Sequence, residues 1–135
     1  MLPDIVASTE SIETITIDDI FRDHIRFEPT LMVVKIDVEG SEVDALSGAT
    51  ETLRRNTLLI YEDHGRETDS NVSAHILNHL GLDVFHCDRN GRVRRMLDVA
   101  AVNEVKTRAS AGYNFCAAVA GTPAHSELIR LHERG

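Results

Sequence analysis

In LMVVKIDVEGSE, residues 31–42, a β-branched apolar run of Val33, Val34 and Ile36 is interrupted only by Lys35 and stops at Asp37, Glu39 and Gly40. A run of this kind, closed by acids and a glycine just ahead of a helical pattern, reads as a buried strand feeding a tight strand-to-helix turn. Residues two apart on a strand share a face, so Asp37 and Glu39 are expected to point the same way at its carboxyl end. Open α/β sheets hold their ligands at that end of parallel strands. The two acids are then either a reactive or binding pair, or a helix N-cap accompanied by an ion pair.

Downstream, residues 41–55 carry Val43, Leu46, Ala49 and Leu53 at spacings of three and four, one apolar helical stripe weakened by Gly48. Glu42 and Asp44 open that helix and Arg54 and Arg55 close it, the order a helix dipole favours. Residues 57–61, TLLIY, form a second apolar run ending in Glu62, Asp63 and His64. Strand, helix and strand at this spacing make a βαβ unit. Glu62 and His64 are two apart and share a face. His64 is the natural general base, with an unperturbed pKa near about 6.5, or else a surface hydrogen-bonder. A polar loop at residues 66–70 precedes a second amphipathic helix, residues 71–80, stopped by Gly81. A third strand at 82–87, a turn at Asp88-Arg89-Asn90-Gly91 and a return strand at 92–96 form a hairpin, since Asn-Gly tolerates positive φ. Residues 97–111 have no clear assignment. Residues 114–120 read as a last strand, and Pro123 begins a surface helix.

Upstream, residues 12–17 alternate Ile and Thr and are expected to form a short strand. Asp18 or Asp19 is expected to cap a brief helix through Ile20, Phe21 and Ile25, and residues 27–30 connect it to the apolar run. Residues 1–10 are weakly patterned.

With 135 residues the chain suits a single domain, residues 1–135. Its formal net charge of −8, from 22 acids against 14 Lys and Arg, disfavours nucleic-acid and anionic-membrane partners. No apolar run approaches the ~20 residues of a spanning helix, and residues 1–9 lack the basic start and apolar core of a secretory signal. Cys87 and Cys116 are far apart without CxxC spacing, which suits reduced thiols in the cytoplasm. Asp37, Glu39, Glu62 and His64 are an oxygen-rich set suited to Mg or Mn, but nothing in their spacing demands a metal and none is assigned. His75 and His79, four apart, lack a third ligand and read as a solvated face. Arg89, Arg92, Arg94 and Arg95 form the one basic cluster, either a solvated hairpin or a seat for an acidic or phosphorylated substrate.

KIDVEGSEVDALSGA at residues 35–49, preceded by TITIDDIF at 14–21 and followed by LLIYEDHG at 58–65, resembles the FkbM-type methyltransferases. The late segments are similar too: a glycine-led strand from Gly81, a hairpin, and the strand holding Asn114 and Phe115. The resemblance runs from about Ile12 onward. It implies a Rossmann-like methyltransferase sheet of class α/β, S-adenosylmethionine as cofactor, and a small-molecule hydroxyl acceptor on a sugar or natural product. It also implies polar roles for Asp37 and Glu39, with Glu62 and His64 on the neighbouring strand as the other catalytic candidates. The family's Gly-rich turn after its first strand, which approaches the cofactor, has no counterpart here, since none of the eight glycines makes a GxG. The match therefore implies the C-terminal half of the domain, parallel strands followed by an antiparallel hairpin, with the N-terminal cofactor half missing and the cofactor-binding residues unknown. Such a half would leave the 33–38 strand with an open edge, inviting a homo-oligomer or a complementing chain. Without its other half the chain is expected to be inactive, or else to serve as a non-catalytic fragment or interaction module.

Overall fold

The protein was analysed as a computed structural model, which describes residues 11–64, 71–108 and 112–135. The polar loop expected at residues 66–70, the start of the chain and the end of the unassigned 97–111 stretch lie outside these.

The elements run α1 Ile17–His24, β1 Met32–Ile36, α2 Glu42–Ser47, α3 Thr50–Leu53, β2 Thr57–Glu62, α4 Asn71–His75, β3 Asp83–Cys87, β4 Val93–Met96, α5 Val99–Lys106, β5 Asn114–Ala118 and α6 Pro123–Arg134. The five strands form one sheet in the order β1-β2-β5-β3-β4. β1 and β2 pair in parallel, with Val34 opposite Leu59 and Ile36 opposite Tyr61. Every other pairing is antiparallel. The architecture is a mixed α/β sheet in which β1, β2 and β3 all run the same way, so their carboxyl ends share one rim.

Alternation along the strands sorts side chains between two faces. One face carries Ile36, Leu59, Tyr61, Val84, Phe115 and Ala117, which pack with Leu46, Leu53, Ile76 and Val102 from the helices α2 to α5 and the turn after α4. The other carries Phe85 and Ala118, covered by Ala124 and Leu128 of α6. The helix from Pro123 is thus a packing layer as well as a surface element. α6 covers the middle and far side of the sheet and leaves β1 bare on this face, where Val33 is 58% exposed.

The structure corrects three expectations. Residues 11–16 form no strand; Ile12 and Ile15 are exposed at 79% and 56%, because no neighbouring strand offers them a ladder. The cap of α1 is Thr16, whose hydroxyl accepts from the Asp19 N–H at 3.0 Å, and not Asp18 or Asp19. Asp18 instead reaches across to α3, accepting from the Glu51 and Thr52 N–H groups at 3.0 and 2.8 Å. The 41–55 helix is broken into α2 and α3 at Gly48, where the start of α1 lies over the backbone. The Gly48 carbonyl accepts from Asp18 N–H at 2.9 Å, and a Cβ at Gly48 would sit 3.1 Å from that of Thr16. Leu46, Ala49 and Leu53 are nonetheless all buried, so the stripe survives the break. The turn expected at Asp88-Arg89-Asn90-Gly91 is present, closed by Gly91 N–H to the Asp88 carbonyl at 3.0 Å. Asp88 and Arg92 still pair through the Asp88 N–H, and only Gly91 takes positive φ, at 78°. That is a three-residue loop, a turn followed by one left-handed glycine.

The other elements agree with the sequence pattern. The 71–80 helix winds into a wider π-helical turn at Ile76–Leu80 and stops at Gly81, whose φ of 66° lets its N–H reach the Ile76 carbonyl. The unassigned stretch after Leu97 is α5, capped by the Asp98 carboxylate on Ala101 N–H at 2.8 Å.

Asp18 supplies a checkable energetic statement. Burial raises its carboxyl pKa, but the hydrogen bonds from Glu51 and Thr52 outweigh that and hold it below the ordinary value. A carboxyl lowered in the folded state stabilises above the unfolded pKa of about 3.9 and loses that contribution as pH falls through the folded value. Asp18→Ala should therefore cost about 1 kcal/mol at neutral pH, as loss of a helix cap does. In urea unfolding, the gap between the variant and the parent should close on the acid side of pH 4 or so.

Candidate active site

The rim at the ends of β1 and β2 is organised by a residue below it. Asp63 follows Leu59 and Tyr61 on the inner face and is only 2% exposed. Its Oδ1 meets Lys106 Nζ of α5 at 2.7 Å, and its Oδ2 accepts the Ser73 N–H of α4 at 3.1 Å. The Asp63 N–H donates to the Tyr113 carbonyl at 3.1 Å, extending the β2–β5 ladder past the strand end. Tyr61 completes the layer, with its hydroxyl 3.0 Å from Ser73 Oγ and its ring stacked on Phe115 at 5.6 Å. Burial drives the Tyr61 phenol far above its ordinary pKa, so it stays neutral.

With Asp63 drawn inward, its neighbours Glu62 and His64 must point outward to the α6 side. There the Glu62 carboxylate contacts His64 Nε2, and the imidazole lies 5.4 Å from the Tyr113 ring. On β1, Lys35 Nζ meets Asp37 Oδ2 at 2.7 Å. The Lys35 hydrogen bond holds the Asp37 carboxyl below its ordinary pKa, and His64 lowers it further. Asp37 in turn raises the Lys35 ammonium, with a smaller push from Glu62. Lys35, Asp37, Glu62 and His64 therefore form one polar cluster across two parallel strands.

Glu39 is placed differently from the sequence expectation. β1 ends at Ile36, and Glu39 lies in a turn closed by Ser41 N–H to the Val38 carbonyl at 3.3 Å. Gly40 occupies its third position at φ 80°, which a residue with a side chain resists. Asp37 and Glu39 both lie beyond the end of β1, so strand alternation does not set the direction of Glu39. Its side chain is exposed, and it makes no ion pair with a described residue. Nor does it cap α2, whose N-terminus has no side-chain cap.

Among the described residues, no group of three or more His, Cys, Asp or Glu is gathered as a metal site. The His75 and His79 rings sit 5.2 Å apart, and burial, then the neighbouring His79, push His75 below its ordinary pKa. Cys87 and Cys116, distant in sequence, come together on β3 and β5 with sulfurs 3.5 Å apart.

Lys35, Asp63, Lys106 and Tyr113 were not singled out from the sequence. Lys35 had a visible signal, a lysine two residues before Asp37 inside an apolar run. Asp63 had only its position between two candidates, and Lys106 lies in the stretch without an assignment.

A carboxylate held against an imidazole nitrogen fixes the ring's tautomer and orientation. With Nε2 facing Glu62, Nε2 carries the hydrogen and Nδ1 is left as proton acceptor. The arrangement is suited to take a proton from a hydroxyl or similar group.

The buried pair is tested by Lys106→Met. Leaving a charged Asp63 in the interior should cost about 3–5 kcal/mol in chemical unfolding. A variant as stable as the parent would show that the pair does not hold the rim in place.

No helix among the described residues is long and apolar enough to cross a membrane. No curated protein and no solved structure matches the chain. Residues 2–115 match the methyltransferase FkbM domain, a span that includes both strand tips and every member of the charged cluster. The chain belongs to the FkbM methyltransferase family.

Proposed function

We propose that this chain forms the acceptor side of an S-adenosylmethionine-dependent O-methyltransferase, acting on a hydroxyl of a small molecule such as a sugar or natural product. The observation that carries the reading is the Glu62–His64 pair, set beside Asp37 on the rim where parallel strands end. His64 Nδ1 takes the proton of the acceptor hydroxyl, Glu62 holds the ring and shares the charge that results, and the Lys35–Asp37 pair frames the other side. S-adenosylmethionine, when bound, supplies the electrophilic methyl group. The strand order β1-β2-β5-β3 supports reading the sheet as the second half of a Rossmann-like methyltransferase sheet.

The described residues do not fit a cradle for that cofactor. The turn after β1 holds one glycine, Gly40, and the helix behind it spans only six residues. A dinucleotide-type nest needs several glycines leading into a longer helix. The cofactor's seat is accordingly assigned to residues outside these, in a preceding segment or a complementing chain. Reduced Cys87 and Cys116 suit a cytoplasmic setting.

Methyl transfer from labelled S-adenosylmethionine to a panel of sugars, followed by mass spectrometry on the fullest chain that expresses, tests the reading. His64→Gln should lower the rate by about 10²-fold or more, the usual worth of a general base, with little change in stability because the ring is exposed. A wild-type rate in that variant would remove His64 from the chemistry. Absence of transfer under every condition would favour the non-catalytic module.

The open side of β1 is where we place the missing partner. Among the described residues Met32–Ile36 pairs with β2 alone, and Leu31 and Val33 are 50% and 58% exposed. An unpaired apolar edge is a template for another strand. Sedimentation velocity should show self-association of this chain that Val33→Lys abolishes. A compact monomer at all concentrations would refute an open, association-prone edge.

A further inference from the structure

The hairpin between β3 and β4 borders a cleft of about 610 Å³, away from the cluster at β1 and β2. Arg89, Arg92, Arg94 and Arg108 line it together with His132 of α6, and the one carboxylate side chain among its lining residues is Asp88. This is a marked concentration of positive charge in a chain of net charge −8.

Asp88 does not neutralise it by ion pairing. Its Oδ1 accepts the backbone N–H groups of Asn90 and Arg92 at 2.8 and 2.9 Å, holding the loop in shape. These bonds, that of Arg92 foremost, hold its carboxyl below the ordinary value. Arg22, Arg55, Arg95, Arg108 and Arg130 each reach a carboxylate. Arg89, Arg92 and Arg94 form no such pair with a described residue. Arg92 and Arg94, two apart, share one side of the edge strand β4. Arg89 is exposed, but its stem rests on the backbone. Its Cγ lies against Gly112, 3.7 Å from where a Cβ would be, so the absent side chain makes room for it. The Gly112 carbonyl also lies 3.2 Å from Nε2 of the buried His86, at the floor of the cleft.

Three exposed guanidinium groups around one concavity, none in an ion pair with a described residue, repel one another unless an anion joins them. Guanidinium forks match phosphoryl oxygens two at a time, and a dianion with three free oxygens uses several forks at once. We propose that this cleft binds the phosphoryl group of a small, soluble phosphate monoester. A bilayer headgroup fits less well, because none of the exposed large apolar residues lines the cleft. The net negative charge opposes a nucleic-acid backbone.

The cleft lies on the same rim as the Glu62–His64 pair, two strands along. Strand spacing puts β3 about 10 Å from β2, and Tyr113 and Gly112 bridge the gap between His64 and Arg89. If the methyl-transfer reading holds, an acceptor with a phosphate at one end and a hydroxyl at the other would reach both by passing over the rim, because Glu62 and His64 point to the outer face and His86 and Arg94 to the inner one. The binding itself does not depend on that reading.

The test is a titration of the whole chain with inorganic phosphate and, separately, phenyl phosphate at constant ionic strength, followed by amide NMR shifts. Saturable shifts should be confined to the hairpin, the end of α5 and the end of α6. Arg92→Gln combined with Arg94→Gln should weaken binding by roughly tenfold or more, since two charge-assisted contacts are lost. Arg54→Gln removes an exposed charge elsewhere and should leave affinity unchanged. Unsaturated shifts, or equal weakening by Arg54→Gln, would reduce the effect to ionic atmosphere and overturn the site. Capture by phosphatidic acid vesicles without competition by phenyl phosphate would overturn the soluble ligand. Methyl transfer is not measured, so this result and the test of His64 fail or succeed separately.

Discussion

A buried ion pair sets the geometry of the rim. Asp63 and Lys106, both almost wholly removed from solvent, join the end of β2 to α5, and the Ser73 N–H brings α4 into the same knot. Charges in the interior are tolerated only when paired and hydrogen-bonded, so the three elements are held in one relative position. Because side chains alternate, anchoring Asp63 inward commits Glu62 and His64 to the outside. The reactive-looking pair is thus positioned by a residue that takes no part in its chemistry.

The two faces of the sheet are unequal, and that asymmetry shapes what the protein can do. The inner face is closed by α2 to α5, whereas among the described residues α6 alone covers the outer one. α6 is tied to the sheet by Asp83, which meets both Arg95 and His125. Burial raises the Asp83 carboxyl pKa, but hydrogen bonds from those two partners prevail and lower it. A single helix cannot cover five strands, so β1 remains open on the outer face. The charged cluster stands at that uncovered corner, where a ligand or another chain could reach it. The basic hairpin cleft occupies the opposite corner of the same rim.

Much of the fold was legible because the signals were local. The apolar runs at β1 and β2, the stripe of Leu46, Ala49 and Leu53, the glycine stop at Gly81 and the Asn-Gly hairpin all depend on nearest neighbours in sequence. The failures were also local patterns, overruled from a distance. The Ile-Thr alternation of residues 12–17 found no strand to pair with. The 41–55 helix broke because α1 lies across Gly48, a contact between segments about 30 residues apart. Glu39 was assigned to a strand face by extending the alternation past Ile36, where β1 ends.

For the site, residue types and spacing along the chain were enough to nominate Asp37, Glu62 and His64, because a strand's period of two is written in the sequence. Which of three consecutive charged residues, Glu62, Asp63 and His64, goes inside was not. That choice depended on Lys106, more than 40 residues away, being delivered to the same interior point by α5. The pairing of Lys35 with Asp37, the meeting of Cys87 with Cys116 and the gathering of arginines around the hairpin cleft likewise needed strand order and register. Local chain chemistry determined the elements and their polar tips; the packing of distant segments decided which tips meet, because only packing sets which charges lose their water.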